Sequence, residues 1–405
     1  MYFIKKDINS ISKIDNSKKW DILIDNREQI SKLFSFKNET FIVACNDLDL
    51  SNDIYYLLGF LNYFREYRTI LIKNMDQYNN SIETEDNKYV RELVDYFKDL
   101  NSDGKFIRGF LILLGYKFIS NSDISKAIPL ALAFELFQTS VLIHDDIIDR
   151  ASIRRGKDTI PTRYINKYRD ASHLGDSLAI CMGDLGFYKS YELMINNYCD
   201  NKRLLKYYND VIINTIQGEI IDVILPHLQM TGSYKEKKLE NSVYDIYRLK
   251  TAWYSIIGPL CMGMILGDAS DKEVSMMTEF AYNLGIAFQI KDDILGIFSE
   301  KVKKEKNSSD ISEFKQTILY SYIYENSPVH LEQLHKYYGK SNLSDEDLEA
   351  SKKIFIDSGA LDYANRMVNH LFKVANERLG KLDFIADHDK DILRGFIVYL
   401  ENRDH

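Results

Sequence analysis

The chain has 405 residues, 45% hydrophobic and 28% charged, with a formal net charge of −8. That is ample apolar material for one large core or two ordinary ones. The acidic balance, without a basic stripe, RNP or zinc-finger pattern, argues against nucleic acid as a partner.

The four cysteines (Cys45, Cys181, Cys199 and Cys261) form no C-x-x-C pair and read as plain thiols of a reducing compartment. The first seven residues mix acids and bases, unlike a signal or transit peptide. The most apolar stretch near the start, residues 54–64, is shorter than the about 20 residues a bilayer span requires. A cytoplasmic chain without a transmembrane segment is expected. Residues 1–85 stand apart as an N-terminal extension or small helical subdomain. Polar, turn-like stretches at 7–19 and 74–87 there flank a helix predicted near 53–73. Packing against the main bundle or a partner subunit is its expected task, and residues 86–405 form the main domain.

Five prolines in the whole chain leave room for many long helices. Apolar residues recur at helical spacing, and 128–137 is apolar at nearly every position, as in a helix enclosed by a bundle. Strand-like alternation is scarce and no solenoid repeat is found. The fold class predicted is all-α, a large helical bundle.

Charged groups punctuate this pattern. Lys105 and Arg108 follow a turn at Asp103-Gly104. The apolar run 139–143 ends in His144-Asp145-Asp146-Ile147-Ile148-Asp149, where Asp145 and Asp149 share one helix face. Arg154 and Arg155 come next, with Gly156 behind them. Lys250 and Thr251 open another apolar helix. A further apolar helix, 281–290, ends in Asp292-Asp293, and Lys306, Asp310 and Lys315 follow. An acidic run alone usually faces water, and single basic residues usually decorate a surface. Two such helix ends side by side would instead build a magnesium site, since magnesium takes one or two carboxylates plus substrate phosphates. The basic residues would then grip diphosphate, Arg as a planar fork and Lys as a point charge.

These residues, in this order, resemble the trans-isoprenyl diphosphate synthase family, which includes farnesyl, geranylgeranyl and longer polyprenyl diphosphate synthases. The resemblance runs from about Asp86 to the C-terminus. It implies an isoprenoid-synthase bundle with a central apolar cavity, and a homodimer. The implied activity is magnesium-assisted ionisation of an allylic diphosphate and its condensation with isopentenyl diphosphate. Asp145, Asp146 and Asp149 match the first aspartate-rich motif, Asp292 and Asp293 the second. The resemblance implies that these five hold magnesium, three ions per site. Arg154 is implied for the allylic diphosphate. Arg155, Lys105, Arg108 and Gln138 are implied for isopentenyl diphosphate. Lys250, Thr251 and Gln289 match further substrate-binding positions, Asp222 the aspartate of a Gln-x-x-Asp region, and Lys306, Asp310 and Lys315 a segment over the site. Asp145, Asp149, Arg154, Lys250, Asp292 and Lys315 are the expected catalytic set; His144 is given no catalytic role.

Three positions depart from the family pattern. Gly296 replaces the third aspartate of the second motif, Glu219 a glutamine, and Asp103 a glycine. Glu300, four residues past Gly296, is the carboxylate expected to lend charge there through water. Ser140 and Val141, five and four residues before Asp145, are expected to face the product channel, with Phe137 and Phe134 deeper on that side or in the core. Without aromatics at 140 and 141, a product of C20 or longer is expected. The alternatives are a farnesyl diphosphate synthase, a relative prenylating another acceptor, or a non-catalytic regulatory subunit. A terpene cyclase fits less well, because that class carries an Asn/Ser/Glu triad in place of the second Asp-Asp.

Overall fold

The computed structural model describes residues 2–5, 11–13, 22–24, 26–34, 42–45, 47–168, 172–234, 238–299, 310–340 and 343–403. Lys306 and Glu300 therefore lie outside the described residues.

The fold is all-α apart from short strands before residue 46 and a two-stranded turn at 153–158. Helices α1 (Leu48–Ser81), α2 (Lys88–Ser102), α3 (Ile107–Ile119), α4 (Ile128–Ile148), α5 (Ile160–Tyr168), α6 (Ser172–Tyr198) and α7 (Lys202–Met230) lead to a rod made of α8 (Leu239–Ile246), a π-helical segment (Tyr247–Ile257) and α9 (Gly258–Leu266). Then come α10 (Asp271–Phe298) and, among the described residues, five shorter helices ending in Asp387–Asn402. Local chemistry sets several boundaries. Asn87 accepts from the Tyr89 N–H at 2.9 Å to start α2, and Ser270 with Glu273 forms a reciprocal cap at the start of α10. Pro129 sits in the first turn of α4, where its missing N–H is harmless.

The core helices cross closely. A Cβ on Gly115 of α3 would overlap the Leu260 carbonyl, standing 3.0 Å from its carbon. One on Gly263 of α9 would stand 2.7 Å from the Tyr116 nitrogen. These two glycines let the backbones of α3 and α9 touch.

Two sequence expectations change. The stretch 74–87, read as turn-like, is helical through Ser81. One of its polar residues is bonded inward: Asn79 is buried and donates to the Lys98 carbonyl at 3.1 Å and to Ser102 Oγ at 3.2 Å, tying α1 to α2. The N-terminal region, read without strands, contains a four-stranded sheet in the order β2-β1-β4-β3. Its strands are β1 (Tyr2–Lys5), β2 (Ile11–Lys13), β3 (Ile22–Ile24) and β4 (Ile42–Cys45); β1 pairs antiparallel with β2 and β4, and β3 parallel with β4. Helix α1 lies along Asp387–Asn402, with the Phe60 ring 5.4 Å from Phe396 and 5.3 Å from Tyr399.

Three stretches, Ile124–Ile148, Lys202–Met230 and Leu239–Leu266, are long and apolar enough to cross a membrane by length and composition. The apolar windows of the first and third are 67% and 83% buried inside the bundle, so core packing accounts for their character. That of Lys202–Met230 is 22% buried, which leaves an apolar face turned outward.

Candidate diphosphate site

The C-terminal ends of α4 and α10 meet at a cavity of about 370 Å³, lined by Asp145 and Asp149 from the one and Asp292 and Asp293 from the other. The two acidic clusters, 143 residues apart between Asp149 and Asp292, thus share one space. The π-helical segment supplies Tyr247, Lys250, Thr251 and Tyr254 to the same lining. Its widened winding, in which the Gly258 N–H reaches back five residues to Trp253, is a feature that often accompanies functional sites.

Cations neutralise the carboxylates. Lys250 Nζ lies 2.6 Å from Asp222, 2.8 Å from Glu219 and 3.7 Å from Asp145. Lys315 Nζ lies 3.0 Å from Asp149 and 3.7 Å from Asp222. Arg154 reaches Asp145 at 3.1 Å and Asp146 at 2.6 Å. Burial pushes the Asp145 carboxyl up, but Lys250, Arg154 and Lys315 outweigh it and hold Asp145 below the usual carboxylate range. Asp222 is held low in the same way by Lys250 and Lys315. For Glu219 burial wins and its carboxyl is raised. Asp292 is paired with Arg403, which also stacks on the Phe288 ring at 3.9 Å.

Asp146 and Asp293, expected beside these as metal ligands, are turned into the protein. Asp146 is 5% exposed and accepts from Arg154 Nε at 2.7 Å; burial pushes its carboxyl up to about 6. Asp293 lines the cavity but is 4% exposed, accepting from Tyr247 Oη and, at 2.8 Å, from Gln289 Nε2. Burial first, then the charge of Asp310, raises its carboxyl well above the usual range. Thr251 donates to Gln289 Oε1 at 2.5 Å, so Thr251, Gln289 and Asp293 form one chain of hydrogen bonds.

Among the described residues, no three His, Cys, Asp or Glu side chains converge to hold a metal by themselves. Carboxylates spread around a cavity suit a hard divalent cation whose shell is completed by phosphate oxygens and water. Asp145, Asp149 and Asp292 fit that demand.

Arg108 and Gln138 belong to the same lining; Arg108 donates to Gln138 Oε1 at 2.7 Å and to Ser255 Oγ at 2.8 Å, and stacks over Tyr254 at 4.1 Å. Lys105 is exposed next to it. Arg155 occupies the turn between β5 (Ile153–Arg154) and β6 (Lys157–Asp158) at φ 53°, within electrostatic reach of Arg108 and Glu135. Glu135, buried, accepts from the Gly109 N–H at 2.7 Å and so anchors the start of α3. Asp103 pairs with Lys157 at 2.5 Å.

The expected channel residues diverge. Val141 lines the cavity. Ser140 is turned away: it is buried, donates to the Leu136 carbonyl, and abuts Gly186 of α6. Phe137 and Phe134 are buried behind Tyr254, with ring centroids 5.8 Å from it. His144 faces α6, with Nε2 3.6 Å from Asp184 Oδ1.

Sequence reasoning missed Arg403, Tyr247, Tyr254 and Glu135. Glu135, an acid inside an otherwise apolar run, carried a signal. Arg403 carried none, because its partner lies 111 residues earlier.

An all-helical bundle that sets acidic helix ends against a ring of lysines and arginines defines a protein built to handle diphosphate esters. Residues 87–355 match the polyprenyl synthetase family, and the chain belongs to it. It is 28% identical over 315 residues to a geranylfarnesyl diphosphate synthase of Aeropyrum pernix, covering 75% of this chain and 92% of that one. It is 31% identical over 290 residues to a short chain isoprenyl diphosphate synthase of Methanothermobacter thermautotrophicus, covering 70% and 82%. In fold it is similar to a geranylgeranyl pyrophosphate synthase from Corynebacterium glutamicum, complexed with isoprenyl diphosphate and magnesium. The TM-score there is 0.74 at 23% identity, over 84% of this chain and 99% of that one.

Proposed function

We propose that this chain is a trans-prenyltransferase that ionises an allylic diphosphate, condenses it with isopentenyl diphosphate and releases linear prenyl diphosphates of C20 or longer. The observation that carries the reading is the convergence of Asp145, Asp149 and Asp292 with Lys250 and Lys315 on one cavity. The related geranylfarnesyl and geranylgeranyl synthases support the product class over a farnesyl synthase.

Asp145, Asp149 and Asp292 would hold magnesium, three ions per site, with Asp146 and Asp293 in support behind them; bound there, the metal supplies Lewis-acid stabilisation of the leaving diphosphate. Arg154, Lys250 and Lys315, with Lys306, add fixed positive charge where negative charge develops. Thr251 and Gln289 hold the α10 end and the π-helical segment in register. Lys105, Arg108, Arg155 and Gln138 bind the isopentenyl diphosphate, so that its double bond faces the allylic cation. The departing diphosphate takes the final proton, and no histidine is needed. Val141, Leu142, Ile246 and Leu295 exclude water from the cation. Phe137 acts on product length through packing behind that lining, whereas Ser140, seated against Gly186, holds α4 to α6.

A homodimer is part of the reading. Ile213, Ile216, Ile220, Val223 and Ile224 form an exposed apolar stripe on α7, of a kind that marks a protein interface. Ile220→Glu is expected to yield monomers in sedimentation. For the activity, the purified protein is given farnesyl diphosphate, labelled isopentenyl diphosphate and magnesium. Elongation is expected, and its absence overturns the product assignment. Asp145→Ala should abolish turnover; wild-type turnover in that variant overturns the site.

A further inference from the structure

Gly296 lies one helical turn past Asp292, so a side chain there would project from the same face of α10 toward the cavity that Gly296 itself lines. No side chain fits. A Cβ would overlap Asp310 Oδ2 and stand 2.9 Å from Asp310 Cγ and 3.2 Å from Oδ1. The space that a third carboxylate of the second acidic motif would occupy is filled by a carboxylate from another segment, fourteen residues downstream. Asp310 lines the same cavity as Asp292 and Asp293.

The segment is pinned. The Lys315 N–H bonds the Asp310 carbonyl at 3.0 Å, and the Gly339 N–H bonds the Ile311 carbonyl at 2.8 Å. Phe314, at φ 57°, packs its ring against Tyr320, His335 and Tyr338. The same turn carries Lys315, which pairs with Asp149 of the first motif.

Resting on the diphosphate-site reading above, we propose that Asp310 is the third acid of the second cluster, that Gly296 is the residue that makes room for it, and that Asp310 helps Asp292 hold a divalent cation at the diphosphate end. The departure at position 296 is then a relocation of a carboxylate and not a loss. It has a consequence that a carboxylate on α10 would not have. One short turn sets both an acid of the second cluster and the lysine that engages the first, so the two are placed together.

The test counts metal binding, without turnover. The full chain is titrated with Mn²⁺, an EPR-visible cation suited to oxygen ligands, in the presence of inorganic pyrophosphate. Asp310→Asn is expected to weaken Mn²⁺ binding by roughly 10–100-fold, with an unchanged melting temperature in chelator. Gly296→Asp alone should also weaken it, because two carboxylates compete for one space. Combining Gly296→Asp with Asp310→Gly should restore most of the affinity. Asp292→Asn is the control that separates two failures. If it weakens binding while Asp310→Asn does not, the relocation is wrong and the diphosphate site stands. If neither weakens binding, the site reading falls with it. A combined variant that binds no better than Asp310→Asn also overturns the relocation.

Discussion

Lys250→Met tests the charge balance of the site most directly. Lys250 Nζ contacts Asp222 and Glu219 at 2.6 and 2.8 Å and reaches Asp145 at 3.7 Å, and these four side chains are 22%, 11%, 21% and 16% exposed. Removing one partner of a buried ion pair costs about 3–5 kcal/mol, because the remaining charge is left uncompensated. Lys315, 3.7 Å from Asp222, offsets some of this, which places the expected loss near the lower end, about 3 kcal/mol. Asp222 is held below the carboxylate range in the folded protein. Its share of stability is therefore present above the unfolded carboxylate value of about 4 and is lost as pH falls through the folded value. Denaturant titrations of wild type and Lys250→Met should thus differ most near pH 7 and draw together in acid. Adding Asp222→Asn to Lys250→Met should recover part of the loss, since an orphaned charge is its cause. Turnover should fall on the order of 10²–10³-fold. A Lys250→Met protein as stable as wild type at pH 7, measured without metal, would refute the reasoning.

Val141→Phe places a ring into the cavity lining and should shift products toward shorter chains by chromatography, while Ser140→Phe, directed at Gly186 and Phe97, should instead cost about 1–3 kcal/mol of stability. Gly263→Ala forces α9 off the Ile112–Tyr116 backbone and should cost about 1–3 kcal/mol or more in thermal or denaturant unfolding. Burial raises the Glu401 carboxyl to about 7, against the pull of Arg27. The folded chain therefore keeps a proton on Glu401 that the unfolded chain loses, and the contribution of this group to stability falls as pH rises from about 4.5 to 7, by at most about 3 kcal/mol. Glu401→Gln should remove that share of the pH dependence, being more stable than wild type at pH 8 and equal to it near pH 4; parallel curves would contradict this.

The sequence alone determined the helical class and the two acidic helix ends. Both are written locally: an apolar run sets a buried helix, and aspartates one turn apart at its end share a face whatever surrounds them. Lys250, Arg154 and Lys315 were legible for the same reason, as charges set beside apolar helices. Tertiary structure decided everything that depends on which face meets which neighbour. It turned Asp146 away from the cavity and tied Asp293, at the cavity wall, to Tyr247 and Gln289, while leaving Asp145 and Asp292 on the cavity. It pointed Val141 into the cavity and Ser140 at α6, although the two are adjacent. It set Asp310 against Gly296 and brought Arg403 to Asp292. It also made inward hydrogen bonds of Asn79, which had read as part of a turn. The physical reason is common to all of these. A side chain's partners are chosen by the packing of distant elements, and one-dimensional spacing carries no record of that packing.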